Sequence, residues 1–370
     1  MDTKRGGRGG LVRAGDMDFL KSKVTALAPK ETGSDPPPRT TEFQNQQLNL
    51  FQDFLCNTNE ERDRLSNAID LWDSVPRYSV NRKAANKARE NGEFPETYTT
   101  AFQHRGRSYG CTISPANVKD LEGTRGYFYP GATEELVEDA LRKLATDQHS
   151  GFFDKPNYRS GVVFSLYALR EELAKRGHTR SYQQIVMALN VLSGSIIEIE
   201  ARNGDKGEAL VKSPYLPTLV AVSKKRIKDD PDAKWMVQFH PFVTDSINQV
   251  TYRQFNYHLM MGHSSQLGRW LHKQLVLKYT FADYSKPFEV RYSTVKRDSG
   301  LLSAYSRERA AIDALEKVFK DLETQKVISS HERKDITGLR KKLIDVVFKI
   351  WPSAEFIKEA KAANKRLSSK

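Results

Sequence analysis

Residues 162–212 read VVFSLYALREELAKRG, HTRSYQQIVMALNVLSGS and IIEIEARNGDKGEALVK, and the predicted fold rests on this stretch. In the first segment, Leu166, Leu169 and Leu173 have the spacing of one helix face. Ser165 stands directly before them, where its hydroxyl can cap the helix. The first segment therefore predicts an amphipathic helix that begins just after Ser165.

The second segment predicts another helix, with a start signal and a stop signal of its own. Ser181 and Gln184 form an S-x-x-Q capping box at its beginning, and Gly194 is placed to end it. The apolar residues recur at the spacing of one helix face and are Ile185, Ala188, Leu189 and Leu192. This helix is therefore amphipathic, with one apolar face and an opposite polar face.

The third segment alternates apolar and polar residues and then turns at Asn203-Gly204, which is a hairpin signal. A helix, a short turn, a second helix and a β-hairpin form a winged helix-turn-helix. A DNA major groove is about 12 Å wide and admits one helix. The residues expected to contact DNA in this first winged helix are Arg180, Ser181, Tyr182, Gln183, Gln184, Met187, Asn190, Arg202 and Lys206. The alternative is a helical core with a hairpin that never touches DNA.

The composition favours a polyanionic partner. The 370 residues suffice for two domains and a tail, and the formal net charge is +13. An ordinary basic surface is the alternative explanation of this charge. Cys56 and Cys111 are far apart, which favours a reducing compartment and argues against disulfides and structural zinc. Because we find no long apolar run and no signal peptide, we expect a cytoplasmic protein with no membrane partner.

The N-terminal part of the chain predicts a disordered arm followed by a short linear motif. Residues 1–41 contain RGGRGG and few apolar residues, so we expect a disordered basic arm. Residues 42–100 form a linker with a helix. Within it, QLNLF at 47–51 resembles the Q-L-S/D-L-F peptide with which bacterial proteins bind the replicative sliding clamp. The expected clamp-binding residues are Gln47, Leu48, Leu50 and Phe51. The alternative is the start of a packed helix.

A second unit with the same order follows the first. It contains a helix over 264–277, a strand over 288–292, a helix capped by Ser293, a long helix capped by Ser306, and a hairpin over 327–351 with a basic loop. The residues expected to contact DNA here are Lys296, Arg297, Ser306, Arg307, Arg309, Arg333, Lys334, Arg340, Lys341 and Lys342. Each phosphate contact would add affinity and salt dependence.

These patterns predict an α+β fold that is mainly helical, with two tandem winged helix-turn-helix domains after a disordered N-terminal arm. We place the first winged-helix domain at 101–228 and the second at 229–352. A basic C-terminal helix follows at 353–370.

The chain resembles plasmid replication initiators of the TrfA type, within the class of two-winged-helix Rep proteins. The resemblance lies in FSLYAL at 164–169 with the helix after it, in YSTVKR at 292–297 with the long helix after it, and in the clamp-like peptide. That peptide has Asn49 where serine or aspartate is commoner, which leaves its apolar anchors intact.

The resemblance implies a protein that binds repeated sites, or iterons, in double-stranded plasmid origin DNA. Such a protein opens the adjacent DNA, contacts single-stranded origin DNA, and recruits the host helicase, the host initiator and the sliding clamp. A monomer–dimer equilibrium is implied as well, with dimers inactive for initiation. A winged-helix transcriptional regulator without a replication role is the alternative, and the peptide at 47–51 is the feature that separates the two.

Enzymatic function is not expected. The sequence has no G-x-x-x-x-G-K-[ST] loop for nucleoside triphosphates and no His-hydrophobic-His pair of the kind that rolling-circle nucleases need. His258 and His263 are five residues apart, which does not place them on one helix face as metal ligands. We therefore predict no cofactor, no metal site and no catalytic residue.

Overall fold

We describe the fold from a computed structural model, which covers residues 59–81, 96–146, 150–203, 206–222 and 233–368 together with 85, 88 and 91. The predicted disordered arm and the clamp-like peptide lie outside the described residues. Of the described residues, 41% are helical and 34% lie in strands. The fold is therefore a mixed α/β fold, and the prediction of a mainly helical protein is not confirmed. No helix in the described part of the chain is long and apolar enough to cross a membrane.

The first described elements are a short helix and a strand, and the strand pairs with a strand from the second half of the chain. The elements are α1 (Asn59–Arg64), β1 (Leu65–Ile69) and a 3-10 turn (Trp72–Ser74). Strand β1 pairs antiparallel with β12 (Tyr252–Asn256). All five residues of β1 are buried, so this pairing lies inside the molecule.

Three helices of the first half surround one apolar centre. They are α2 (Ala132–Leu144), α3 (Leu166–Lys175) and α4 (Tyr182–Gly194). The Ser165 hydroxyl accepts a hydrogen bond from the Ala168 amide, and the predicted capping box at Ser181 and Gln184 is formed. The sequence signals for the starts of α3 and α4 are therefore confirmed.

Two four-stranded sheets flank these helices. The first has the order β2-β3-β8-β9, with β2 (Tyr98–His104), β3 (Arg107–Ser114), β8 (Ile196–Asn203) and β9 (Lys206–Pro214). The second has the order β10-β11-β7-β6, with β6 (Gly151–Asp154), β7 (Arg159–Ser165), β10 (Thr218–Val222) and β11 (Lys234–Gln238). A separate hairpin consists of β4 (Ala116–Lys119) and β5 (Arg125–Phe128). Strand β11 was assigned to the second predicted domain, yet it pairs with β7 of the first.

The second half repeats the order of long helix, strand, two helices and hairpin. After α5 (Pro241–Asn248) and α6 (Tyr257–Gly262) come α7 (Gln266–Lys278), β13 (Phe288–Arg291), α8 (Tyr292–Ser299), α9 (Glu308–Thr324), β14 (Ile328–Thr337), β15 (Leu343–Pro352) and α10 (Ala354–Ser368). Strand β13 runs straight into α8 and pairs with β15, so the sheet order is β13-β15-β14. We call residues 132–214 the first unit and residues 266–352 the second unit.

The two units share one apolar core and also meet through buried charges. Helix α2 and the 3-10 turn face α7 through the junction ion network, whose members are Asp73, Arg77, Glu135, Glu138, Asp139, Arg142, Arg269 and Lys273. Every member is buried, and acids and bases alternate in contact. The Lys273 ammonium lies 2.7 Å from an Asp139 oxygen, and Arg269 lies 3.0 Å from Glu135. Burial would raise the pKa of Asp73, but the charges of Arg142, Lys273 and Arg77 hold that pKa below its usual range.

Candidate nucleic-acid interface

Helix α4 of the first unit presents a polar surface that carries little charge. Gln183 is exposed. The side-chain Oε1 of Gln184 accepts a hydrogen bond from the Ser181 amide at 3.0 Å and is therefore held in the helix cap. The Tyr182 ring is half-buried, with the Arg170 guanidinium 5.1 Å from its centroid. Arg180 is half-buried and donates to the Thr179 carbonyl at 2.8 Å. Only part of the predicted contact set therefore points freely to solvent.

The β4–β5 hairpin packs along one side of α4. Gln184 and Met187 line a shallow pocket with Leu121, Phe128 and Tyr129 of the hairpin and its flanks. At Gly194 the approach is so close that an added Cβ would lie 3.0 Å from the Ala116 Cβ. This hairpin thus borders the predicted recognition surface. No local sequence pattern predicts this contact, because it joins residues about 70 positions apart.

The hairpin β8–β9 is formed as predicted, but its arginine lies against the sheet. The Arg202 Nε donates to Glu200 at 2.7 Å. Its guanidinium covers Gly110 of β3, where an added Cβ would be only 2.7 Å away. Glycine at this position leaves room for the side chain. Lys206 begins β9 and pairs with Asn203 through the backbone, and its side chain lies outside the described atoms.

In the second unit, two helix starts differ from the sequence prediction. Helix α8 begins at Tyr292, so Ser293 is not its cap. Instead the Asp345 carboxylate of β15 accepts from the Ser293 amide at 3.1 Å and from its hydroxyl at 2.6 Å. Helix α9 begins at Glu308 with Arg307 at the cap position, and the exposed Ser306 makes no capping hydrogen bond. Both serines were close to the true boundaries without being the caps.

The basic residues of the second unit fall into two groups. The first group is tied into ion pairs: Lys296 with Glu308 at 3.3 Å, Arg297 with Asp298 at 2.7 Å, and Arg333 with Glu316 at 3.0 Å and Asp335 at 2.8 Å. The hydrogen bond to Glu308 raises the pKa of Lys296, and that to Asp298 raises the pKa of Arg297. These cations are partly neutralised by their own neighbours.

The second group is exposed and makes no ion pair with any described residue: Arg307, Arg309, Lys334, Arg340 and Lys342. Nothing is described of the Lys341 side chain. Arg307 and Arg309 lie at the first turn of α9, and the other three belong to the β14–β15 hairpin and its loop. Among the predicted contact residues, the cations without an ion pair thus lie at the start of one helix and on one hairpin, and Lys317 and Lys320 are further exposed cations along α9.

The predicted non-ligand histidines occupy two different settings. His258 is exposed, and its Nδ1 lies 3.1 Å from the Arg176 guanidinium. His263 is buried, 3.1 Å from an Asp321 oxygen of α9 and 2.9 Å from His272. Burial lowers the pKa of both His263 and His272. Among the described residues, no group of three or more His, Cys, Asp or Glu side chains is arranged to hold a metal ion.

Comparison with known proteins gives structural neighbours at low identity. No family profile matches the sequence, and no curated protein matches it. A crystal structure of domains 2 and 3 of RctB shares 12% identity, covers 70% of this chain and 91% of that chain, and superposes with a TM-score of 0.46. A second structure of the RctB domains 2-3 shares 10% identity over 73% and 95% of the two chains, with a TM-score of 0.42. The Pi initiator protein in complex with iteron DNA shares 12% identity over 60% of this chain and 91% of that chain, with a TM-score of 0.40.

Proposed function

We propose that this chain is a plasmid replication initiator that binds repeated sites in double-stranded origin DNA through two winged helices. The observation that carries the proposal is the repeated order of elements. In each unit a strand runs directly into a helix, a second helix follows, and a hairpin closes the unit. Two such units on one chain can occupy successive major grooves on one face of the duplex, about 34–36 Å apart.

The side chains of the two units differ in a way that supports different roles in DNA binding. Helix α4 offers Gln183 and Asn190, and amide side chains of this kind pair well with adenine in the major groove. The start of α9 and the β14–β15 hairpin offer cations without acidic partners, which suit phosphates. We therefore assign base recognition mainly to α4 and phosphate contacts mainly to the second unit.

The downstream steps of the proposal rest on the family resemblance. The protein would open the adjacent DNA, contact the separated single strand, and recruit the host helicase, the host initiator and the sliding clamp in the cytoplasm. Dimers would be in equilibrium with the active monomer. The proposal contains no catalytic step, no cofactor and no metal ion. A transcriptional regulator that uses the same winged helices is the second candidate, and the clamp-like peptide favours the initiator over it.

The first test is footprinting of DNA upstream of the coding sequence by the purified full chain, at about 50 mM and about 200 mM salt. We expect regularly spaced protected repeats whose protection falls steeply at the higher salt. A single palindromic site over a promoter would favour the regulator. No protection at the lower salt would reject both DNA-binding functions.

A second test addresses the clamp. Leu50→Ala with Phe51→Ala should abolish binding of the chain to the sliding clamp and reduce plasmid replication, while footprints stay unchanged. Phe43→Ala is the matched control, since it removes an aromatic side chain from the same segment outside the motif. Equal clamp binding by the double variant and the control would contradict recruitment through this peptide.

A further inference from the structure

The tip of the β14–β15 hairpin, Gly338 to Ile344, exposes aliphatic side chains to solvent. Leu339 is 94% exposed and Ile344 is 68% exposed. Leu339 contributes little to the stability of the loop, because an almost fully exposed leucine buries hardly any apolar surface. Clustered apolar side chains on a surface commonly mark a site that something else covers.

The hairpin tip is an ordered turn closed by a backbone hydrogen bond. The Gly338 amide donates to the Lys342 carbonyl at 2.8 Å, and Arg340 has a left-handed backbone with φ 59°. A Cβ at Gly338 would lie 2.7 Å from the Ile344 Cδ1, so Ile344 packs on the glycine. Leu339 is thus presented from a defined loop, and binding through it would cost little ordering entropy.

Two ion contacts show which way the tip points. Glu323 of α9 contacts His331 at 2.7 Å, and Glu316 contacts Arg333 at 3.0 Å, so β14 runs antiparallel to α9. From Arg333 to the end of β14 at Thr337 the strand covers about 13 Å, and from Glu316 to the first residue of α9, Glu308, the helix covers about 12 Å. The tip, which follows Thr337, therefore lies at the same end of the unit as the helix start that carries Arg307 and Arg309.

The charges around the tip favour a polyanion over an apolar partner. Arg340 and Lys342 follow Leu339 in the same turn and are exposed, and neither pairs with an acid among the described residues. The nearby Asp335 is held by Arg333, and Asp345 is buried against Ser293. Cations in the same turn as an exposed aliphatic side chain suit the phosphates that border a DNA groove.

Resting on the function proposed above, we propose that Leu339 is a wedge that enters the minor groove and unstacks one base-pair step. Arg340 and Lys342 of the same turn bind phosphates next to that step. Apolar side chains inserted in this way kink DNA and offset part of the unstacking cost by their own burial. The second unit would then bend the origin DNA while the first turn of α9 binds phosphates of the neighbouring groove.

The test uses the full chain and a duplex that the wild-type protein selects from a random-sequence library. Bending is measured by energy transfer between dyes at the two duplex ends, and unstacking by permanganate reactivity of thymines. The variants are Leu339→Ala, Leu339→Phe and a matched control, Phe281→Ala, which removes an 84% exposed ring outside the two DNA-contact surfaces. Flotation with phosphatidylglycerol vesicles is measured in parallel.

We expect Leu339→Ala to bind the duplex within about threefold of wild type while permanganate reactivity at one step falls at least fivefold and the bend decreases. Leu339→Phe and Phe281→Ala should keep both signals. Wild-type bending and reactivity in Leu339→Ala would overturn the wedge, as would vesicle binding that depends on Leu339 while the DNA signals do not. Failure of the wild-type protein to select any duplex would instead reject the DNA-binding function itself.

Discussion

At the scale of single residues, several side chains have roles that depend on distant partners. Asp345 shows this most clearly, since its carboxylate holds the first turn of α8 from the neighbouring strand β15. A helix start needs an acceptor for its free amides, and either a local serine or a distant carboxylate can supply it. The sequence predicted Ser293 as the cap, whereas in the structure Ser293 donates to the distant Asp345 carboxylate.

His240 links Trp72 to the start of α5. Its Nδ1 accepts from the Phe242 amide at 3.2 Å, and its ring stacks on Trp72 at 4.2 Å between centroids. Its Nε2 is buried and has no hydrogen-bond partner among the described residues. The pKa of His240 is lowered to about 3, mainly by burial and to a smaller extent by the charge of Arg77.

The pKa of His240 predicts a loss of stability in mild acid. An unfolded histidine has a pKa of about 6.5, so below that pH the unfolded state binds a proton that the folded state rejects. The contribution is fully present above about pH 6.5 and is lost toward the folded pKa of about 3. We expect the free energy of unfolding to fall by roughly 2 kcal/mol from this residue at about pH 5.

The check is urea unfolding of wild type and His240→Asn between pH 7 and pH 5. Asparagine retains an oxygen acceptor for the Phe242 amide and does not titrate. The variant should lose less stability over this range than wild type. Parallel pH profiles would show that His240 does not contribute to the acid sensitivity.

At the scale of secondary-structure elements, α4 and α9 present different surfaces. The predicted contact cations of α9, Arg307 and Arg309, are at its N-terminal turn, whereas the remainder of its outer face carries Asp313 and Glu316 beside Lys317 and Lys320. A DNA contact made by α9 should therefore centre on its first turn and the adjoining hairpin, where no described acidic side chain pairs with Arg307 or Arg309. Helix α4 offers amides on one side and the β4–β5 hairpin on the other.

Replacing Arg307 and Arg309 together by alanine should weaken DNA binding and reduce its salt dependence. Each phosphate contact changes the slope of log K against log salt by about 0.9, so the slope should fall by about 2. The measurement is fluorescence anisotropy with a selected duplex over a range of salt concentrations. Lys361→Ala on α10 is the control, because it removes an exposed cation from a helix outside both units. An unchanged slope in the double variant would exclude phosphate contacts by these arginines.

At the scale of the whole molecule, buried polar contacts set the orientation of the two units. The junction ion network joins α2 to α7, and the Asp298 carboxylate of α8 accepts from the Gln103 amide of β2 at 3.0 Å. Hydrogen bonds and ion pairs are directional, so they restrict the angle between packed elements more than apolar contacts do. The distance between α4 and α9 on DNA would depend on this junction.

The pair of Arg269 and Glu135 offers a direct test of the junction. Arg269→Met should lower the free energy of unfolding by about 3–5 kcal/mol, because it leaves the buried Glu135 carboxylate without its 3.0 Å partner. Combining it with Glu135→Leu should recover most of that loss. Lys175→Met, which breaks the 2.6 Å pair with Asp63 on the surface, is the control and should cost under about 1 kcal/mol. Equal losses in the two single variants, measured by urea unfolding, would contradict a structural role for the buried pair.

Local signals in the sequence were sufficient for the elements that carry them. The serine cap and the apolar spacing of α3, the capping box of α4 and the turn between β8 and β9 all involve residues within a few positions of one another. Such signals depend only on neighbouring residues, which is why they could be recognised without the structure.

Contacts between distant residues could not be inferred in the same way. A charge such as Arg142 or Lys273 looks like a solvated helix face in the sequence, and only the packing of α2 against α7 buries it beside an acid. The pairing of β7 with β11, the hairpin against α4, and the carboxylate that holds α8 are likewise matters of tertiary packing. Their physical cause is the burial of polar and apolar groups from separate parts of the chain in one core, and no local pattern encodes which parts will meet.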